Sequence, residues 1–141
     1  KFDMKIIEKS VKIAGSLFPE IYVTKKKYRT FHFSFAWKRN KLLSIGINHP
    51  YKVSHKALKF AKLFNNNRQI IKYPYLHAEI DMLSKLWGKC DLGSIKVVVI
   101  RLNRSGDLQN SKPCANCRAV LDALGVENIW WSNSTGDLVN A

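Results

Sequence analysis

The chain has 141 residues, enough for one domain with a sizeable core. Apolar residues make up 46% and aromatic residues 11%, which excludes a disordered chain, and no apolar run reaches the roughly 18 residues of a membrane span. Lys and Arg outnumber Asp and Glu by 24 to 10, a net charge of +14, so the expected partner is anionic.

That charge is uneven. Residues 1–72 carry 17 Lys and Arg against 3 Asp and Glu, whereas residues 73–141 carry 7 of each. Contacts to a phosphorylated or polyanionic partner are therefore expected from the first half, and nucleic acid is one such partner. Lys1-Phe2-Asp3 starts no signal-peptide pattern. Three cysteines, two of them in one C-x-x-C, suit a reducing compartment and a metal site better than a disulfide framework. A cytoplasmic location, or the host cytoplasm for a viral protein, is the expectation, with no membrane contact.

In chain order, Ile6-Ile7, Val11, Ile13-Ala14 and Leu17-Phe18 have helical spacing, and Pro19 is expected to close that helix. Phe31, Phe33 and Phe35 alternate with His32, Ser34 and Ala36, the pattern of a strand with two unlike faces. Lys38 to Lys41 reads as a turn and Leu42 to Ile47 as the return strand, so 28–47 is a predicted hairpin. Residues 48–76 form a basic, polar connection with a short helix expected around Ala57 to Phe64, broken by Asn65-Asn66-Asn67. A connection of that length is more often functional than filler. A helix starts at His77, with Ile80, Leu83 and Trp87 along one side and Gly88 at its end, and Cys90 is read as a small buried hydrophobe near that end. Ile95 to Leu102 is a buried strand, 104–112 a loop, and Cys117, Val120, Leu121 and Leu124 the face of a helix capped by Gly125. Glu127 to Ser132 is a last strand, followed by a turn at Thr135-Gly136-Asp137. The order α-β-β-α-β-α-β favours parallel pairing of the last two strands, with helices covering the sheet.

Two short segments carry chemistry: His77-Ala78-Glu79 and Pro113-Cys114-Ala115-Asn116-Cys117. One histidine and two cysteines are nitrogen and thiolate ligands that suit zinc, and three such ligands leave one position for water. Glu79 adds a carboxylate free to move protons. A lone C-x-x-C is also read as a redox pair or a turn, but the two segments together match the H-x-E…P-C-x-x-C pattern of zinc nucleobase deaminases. The chain resembles the cytidine deaminase superfamily over roughly residues 28–135.

The resemblance implies an α/β fold, a three-layer α/β/α sandwich with a mixed sheet, formed as a single domain over residues 1–141. It also implies a zinc held by His77, Cys114 and Cys117 between two facing helix starts. Glu79 would then be the proton carrier, and the peptide N–H groups of Ala78 and Cys114 would meet the base edge. The competing arrangement is a closed zinc site completed by His32, His49, His55 or Cys90.

A histidine as first ligand points away from free-cytidine deaminases, toward the branch of dCMP, tRNA adenosine and polynucleotide cytidine deaminases. Leu42 to Pro50 resembles the strand and loop ending in Gly-x-Asn of dCMP deaminases, which makes Asn48 the expected contact to sugar or base. Two departures stand out: Asp81 where that branch often has Asn, and Phe33-Ser34 where it has Gly-Ala. Trp130 and Trp131 must face opposite ways, and Trp131 is the one expected at the pocket. Lys25-Lys26-Lys27-Tyr28-Arg29 is a solvated run or a phosphate grip centred on Arg29. His32 is read as satisfied within the sheet, and His49 and His55 as solvated loop residues or ligands of a second zinc.

The expected function is zinc-dependent hydrolytic deamination of a free cytosine nucleotide, dCMP to dUMP, by a homo-oligomer. The alternative is a polynucleotide cytidine or adenosine deaminase acting on single-stranded DNA or RNA, including tRNA. The basic half favours it, and Tyr73-Pro74-Tyr75 would suit base stacking. A catalytically silent zinc-binding subunit is the third reading, against which the intact Glu79 argues.

Overall fold

Alternating aromatics at 31–37 give the sheet its centre. The computed structural model describes residues 2–24, 30–53, 59, 75–86, 88–133, 135 and 137–140. Its elements are helix α1 (Phe2–Thr24), strands β1 (Phe31–Lys38), β2 (Lys41–Ile47), β3 (His49–Val53) and β4 (Tyr75–Leu76), and helix α2 (Ala78–Leu86). Then come β5 (Lys96–Leu102), β6 (Leu108–Gln109), helix α3 (Ala115–Ala123), β7 (Asn128–Ser132) and β8 (Leu138–Asn140). β1 lies between β2 and β5, antiparallel to both. β5 pairs parallel with β7, which pairs antiparallel with β8, and β6 folds back on the end of β5. The result is an α/β fold on a mixed six-stranded sheet, with β3 and β4 as a separate two-stranded ribbon.

The period of two in β1 separates two cores. Phe31, Phe33, Phe35 and Trp37 are buried on one face with Val98, Ile100 and Leu102, under Ile6, Ile7 and Ala14 of α1. Each such buried aromatic contributes about 1.5–3 kcal/mol relative to exposure. Ala36, Val97, Val99 and Ile129 line the other face under Ile80, Met82 and Leu83 of α2 and Val120 and Leu121 of α3. A bulge keeps β2 in step: Leu42 lies opposite Trp37 and Ser44 opposite Ala36, so Leu43 is the extra residue. Leu43 and Ser44 then share the α2 side, and the Ser44 hydroxyl donates to the Met82 carbonyl at 3.1 Å.

The hairpin, the parallel β5–β7 pair and the helix starts at 77 and 114 are as the sequence predicts. Pro19 is a correction. It lies inside α1, which continues to Thr24. Loss of one N–H bond at Pro19 is outweighed because both sides of it pack: Phe18 meets Phe31 edge-on at 5.1 Å, and Tyr22 lies 6.1 Å from the same ring. Ser10 ties α1 to the sheet, accepting from Trp37 Nε1 at 2.9 Å while donating to the Ile6 carbonyl. The strands β3, β4, β6 and β8 are short edge or ribbon segments that the apolar pattern does not announce. The helix expected at 57–64 lies outside the described residues except for Lys59. No helix among the described residues is long and apolar enough to cross a membrane.

α2 lies against the outer edge of β2. Asp81 accepts the Ile47 N–H at 3.0 Å, and Lys85 donates to the Ile45 carbonyl at 2.7 Å while pairing with Asp81 at 3.3 Å. Edge groups that would otherwise need another strand are thus satisfied by a helix. Gly46 makes the approach possible, because a Cβ there would overlap the Ala78 carbonyl oxygen and the Met82 amide nitrogen, both backbone atoms. Gly46→Ala is accordingly expected to lower stability by about 3 kcal/mol, the upper part of the usual overpacking range, read as a fall in the urea midpoint.

Candidate metal centre

Both parallel strands end at the same side of the sheet, and both α2 and α3 begin there. Open α/β sheets form their clefts outside such carboxyl ends. His77 caps α2, its carbonyl accepting from the Asp81 N–H at 3.0 Å. Cys114 caps α3, its Sγ accepting from the Cys117 N–H at 3.4 Å and its carbonyl from the Arg118 N–H at 2.9 Å. Pro113 precedes that cap, where a missing N–H costs nothing. Gly125 at φ 81° closes the far end, with Val126 N–H on the Leu121 carbonyl and Gly125 N–H on the Asp122 carbonyl.

The segment leading to Cys114 is held by a buried hydroxyl pair. Ser111 Oγ donates to the Val99 carbonyl at 2.7 Å, accepts the Ser132 N–H at 2.7 Å and lies 2.8 Å from Ser132 Oγ. Ser132 Oγ in turn donates to the Gln109 carbonyl. Two serines thus fasten the entry of α3 to the ends of β5 and β7.

These anchors bring three donor atoms together. His77 Nδ1 lies 3.7 Å from Cys114 Sγ and 3.4 Å from Cys117 Sγ, and all three atoms fall within 4.8 Å of one another. Ligand distances of about 2.0 Å to nitrogen and about 2.3 Å to sulfur put tetrahedral N and S donors about 3.5 Å apart. The observed spacings bracket that value, so His77, Cys114 and Cys117 are placed to hold a metal ion. Neither Glu79 nor His32 nor Cys90 belongs to the group, which is the only such group among the described residues.

The electrostatics suit a cation. Hydrogen bonding from Cys117 is the largest influence on Cys114 and, with donation from His77 and the Cys117 N–H, brings its pKa down to about 4 against the effect of burial. Cys117 keeps the proton, held well above the ordinary thiol range by that same bond and by burial. The His77 pKa is raised, first by its hydrogen bond to Cys114, with burial opposing. A bound divalent cation would displace the Cys117 proton and hold both sulfurs as thiolates. Two helix N-termini add their partial positive charge to the same point.

Glu79 is buried in the first turn of α2, and burial raises its carboxyl pKa. Its carboxyl feels His77, Cys114 and Cys117 electrostatically, and no Lys or Arg among the described residues is seen to pair with it. Ala78 is buried one residue earlier, and its N–H has no partner within the helix.

Of the other predicted residues, Asn48 lies at this edge, but its Oδ1 accepts the His32 peptide N–H at 2.9 Å and its own N–H reaches the His32 carbonyl at 3.3 Å. Only its amide NH2 is left to meet a ligand. Trp131 packs on the α2–α3 side, with the Lys112 ammonium 5.9 Å over its ring, while Trp130 packs toward α1. Asp81 is occupied by β2 and Lys85, which accounts for a carboxylate at that position. His32 is half-buried on the α2–α3 side of the sheet, and desolvation, reinforced by the Arg101 charge, lowers its pKa to about 4. Cys90 is half-buried against the α2–α3 core. Arg29, His55 and 73–74 lie outside the described residues, as does the side chain of His49.

Sequence reasoning passed over Arg101, Ser111 and Ser132. Ordinary serines in a loop and at a strand end carry no signal of their own, and only an arginine closing an otherwise apolar strand stands out. Comparison with family models, curated proteins and solved structures finds no match to this chain.

The donor set leads to a measurable outcome. The purified chain is expected to bind about one divalent metal ion, and Cys117→Ser to abolish that binding, whereas Glu79→Gln retains it. Metal analysis of the three proteins checks this. Chelation should also lower the melting temperature of the wild type, because the metal ties two helix starts together.

Proposed function

We propose that this chain is a zinc-dependent hydrolase that deaminates a free cytosine nucleotide, dCMP to dUMP, on a cytidine deaminase-like α/β/α fold. One observation carries the reading: a buried carboxylate, Glu79, stands against a His77–Cys114–Cys117 metal triangle without being one of its donors. Zinc in that triangle supplies Lewis-acid activation of a water at neutral pH.

The remaining work falls to the chain. Glu79 takes a proton from the attacking water and delivers it to N3 of the cytosine ring. With the water oxygen added to C4, it takes the second proton from that oxygen and passes it to the amino group, so that the C4 carbonyl forms as the C4–N bond breaks and ammonia leaves. Burial raises its pKa above the ordinary carboxyl value, the direction that suits a group that both accepts and returns protons. The Ala78 and Cys114 N–H groups, at the helix starts, orient the base edge, and the Asn48 amide faces the sugar. Trp131 closes the side of the pocket. Assembly into a homo-oligomer and a reducing, cytoplasmic setting that keeps the three free cysteines as thiols complete the proposal.

A second reading, deamination of cytosine or adenine within single-stranded nucleic acid, uses the same site and is favoured by the 17 Lys and Arg of residues 1–72. The two differ in salt dependence. A chain neutralising about five phosphates loses affinity with a log–log slope near −3.5, whereas a mononucleotide site loses little.

Ammonia release from cytosine, cytidine, dCMP, dCTP, adenosine and a single-stranded oligonucleotide tests both. dCMP is expected to be turned over well above cytidine, and Glu79→Gln to lower that rate by about 10²- to 10⁴-fold with the metal still bound. Inert dCMP and cytidine beside a converted oligonucleotide with the steep slope would establish the second reading instead.

A further inference from the structure

We propose that Arg101, beside His32 at the carboxyl end of β5, is the seat of the substrate's phosphate group. In calling that phosphate a nucleotide's, the inference rests on the function proposed above.

Arg101 follows Val97 and Val99 at the two-residue period of β5, so its side chain lies on the same face as the metal triangle. Its partner across the sheet is His32, on that face of β1. His32 feels the charges of Arg101, His77 and Cys114, so the guanidinium lies on the same side of the sheet as the metal donors and near His32.

A guanidinium is always charged and has donors on two edges. Arg101 Nη1 donates to the Asn110 carbonyl at 3.2 Å. Its Nε is buried and has no hydrogen-bond partner among the described residues. The Nε–Nη2 edge is the one that meets two oxygens of a phosphate in parallel, and here it is left over. No carboxylate among the described residues is seen to take it. The Arg118–Asp122 and Lys85–Asp81 ion pairs lie elsewhere, and residues 25–29 and 54–74 contain no Asp or Glu. A half-buried guanidinium whose Nε has no partner, with no acid among the described residues set against it, is completed by an anion brought from outside.

A nucleoside monophosphate and the phosphodiester of a single strand share this chemistry, and the two are separable by experiment. Affinities of the full-length, metal-loaded chain for dCMP, deoxycytidine and a short oligodeoxycytidylate are measured by calorimetry for wild type, Arg101→Gln and Arg101→Lys. Wild type is expected to favour dCMP over deoxycytidine by about tenfold or more, and Arg101→Gln to erase most of that ratio. Arg101→Lys should recover part of it, since a point charge replaces a fork. Oligonucleotide binding that collapses in Arg101→Gln, with no preference for dCMP, assigns the site to a phosphodiester.

Equal losses for dCMP and deoxycytidine in Arg101→Gln, which a merely structural role through Asn110 would give, overturn the proposal. Should Arg101→Gln fail to fold, the Arg101→Lys ratio and competition of inorganic phosphate with dCMP in wild type decide: an unchanged ratio and no competition overturn it. Ammonia release separates this from the parent reading. Arg101-dependent binding without turnover refutes the deaminase and keeps the phosphate seat. Turnover of dCMP and deoxycytidine with a ratio indifferent to Arg101 does the reverse.

Discussion

The contact between Gly46 of β2 and the first turn of α2 sets the geometry of the whole cleft. Because no Cβ intervenes, the helix lies directly on the strand edge, and its first residues reach over the carboxyl end of the sheet. His77, one residue ahead of that turn, is thereby delivered to the start of α3. A bulkier residue at 46 would push α2 outward by its own thickness. The spacing of His77 Nδ1 from the two sulfurs, 3.4 and 3.7 Å, leaves little room for such a shift.

Around that contact the polar groups are arranged for rigidity. Asp81 and Lys85 bind α2 to the outer edge of β2, while Ser111 and Ser132 bind the entry of α3 to β5 and β7. Each half of the metal triangle therefore has its own polar fastening, part-buried at α2 and buried at the entry of α3. Buried hydrogen bonds of this kind add little net stability but cost about 1–3 kcal/mol when one partner is removed. They hold position more than they hold the fold together. The apolar work is done by the two cores on either side of β1.

Charge has a similar division of labour. Burial favours the neutral form of Glu79, the Cys114 thiolate draws on two helix N-termini, and the Arg101 guanidinium leaves its Nε without a hydrogen-bond partner. A metal triangle with a guanidinium near it suits the proposed ligand, neutral at its base and anionic at its phosphate. The free-nucleotide reading and the phosphate seat thus draw on different atoms of the same pocket.

Much of this was legible in the amino-acid order. The period of two at Phe31, Phe33 and Phe35, the apolar run at 97–100 and the Gly125 cap are local signals, and local backbone and hydrophobic physics reads them directly. Pro19 misled because its local penalty is real but smaller than the packing of Phe18 and Tyr22 on Phe31, a contact between segments far apart in the chain. The two-residue strands β4 and β6 escaped because so few residues carry no periodicity.

The chemistry of the candidate metal donors, and of the carboxylate proposed to carry protons, is likewise a property of side-chain type, and residues 77–79 and 113–117 state it alone. What only the tertiary structure decided is which atoms meet. It commits the Asn48 oxygen to His32, hands Asp81 to β2, and leaves Arg101 Nε without a hydrogen-bond partner among the described residues. Side-chain type is fixed residue by residue, whereas a distance between residues 32, 77, 101 and 114 depends on strand register, a bulge and one missing Cβ acting together.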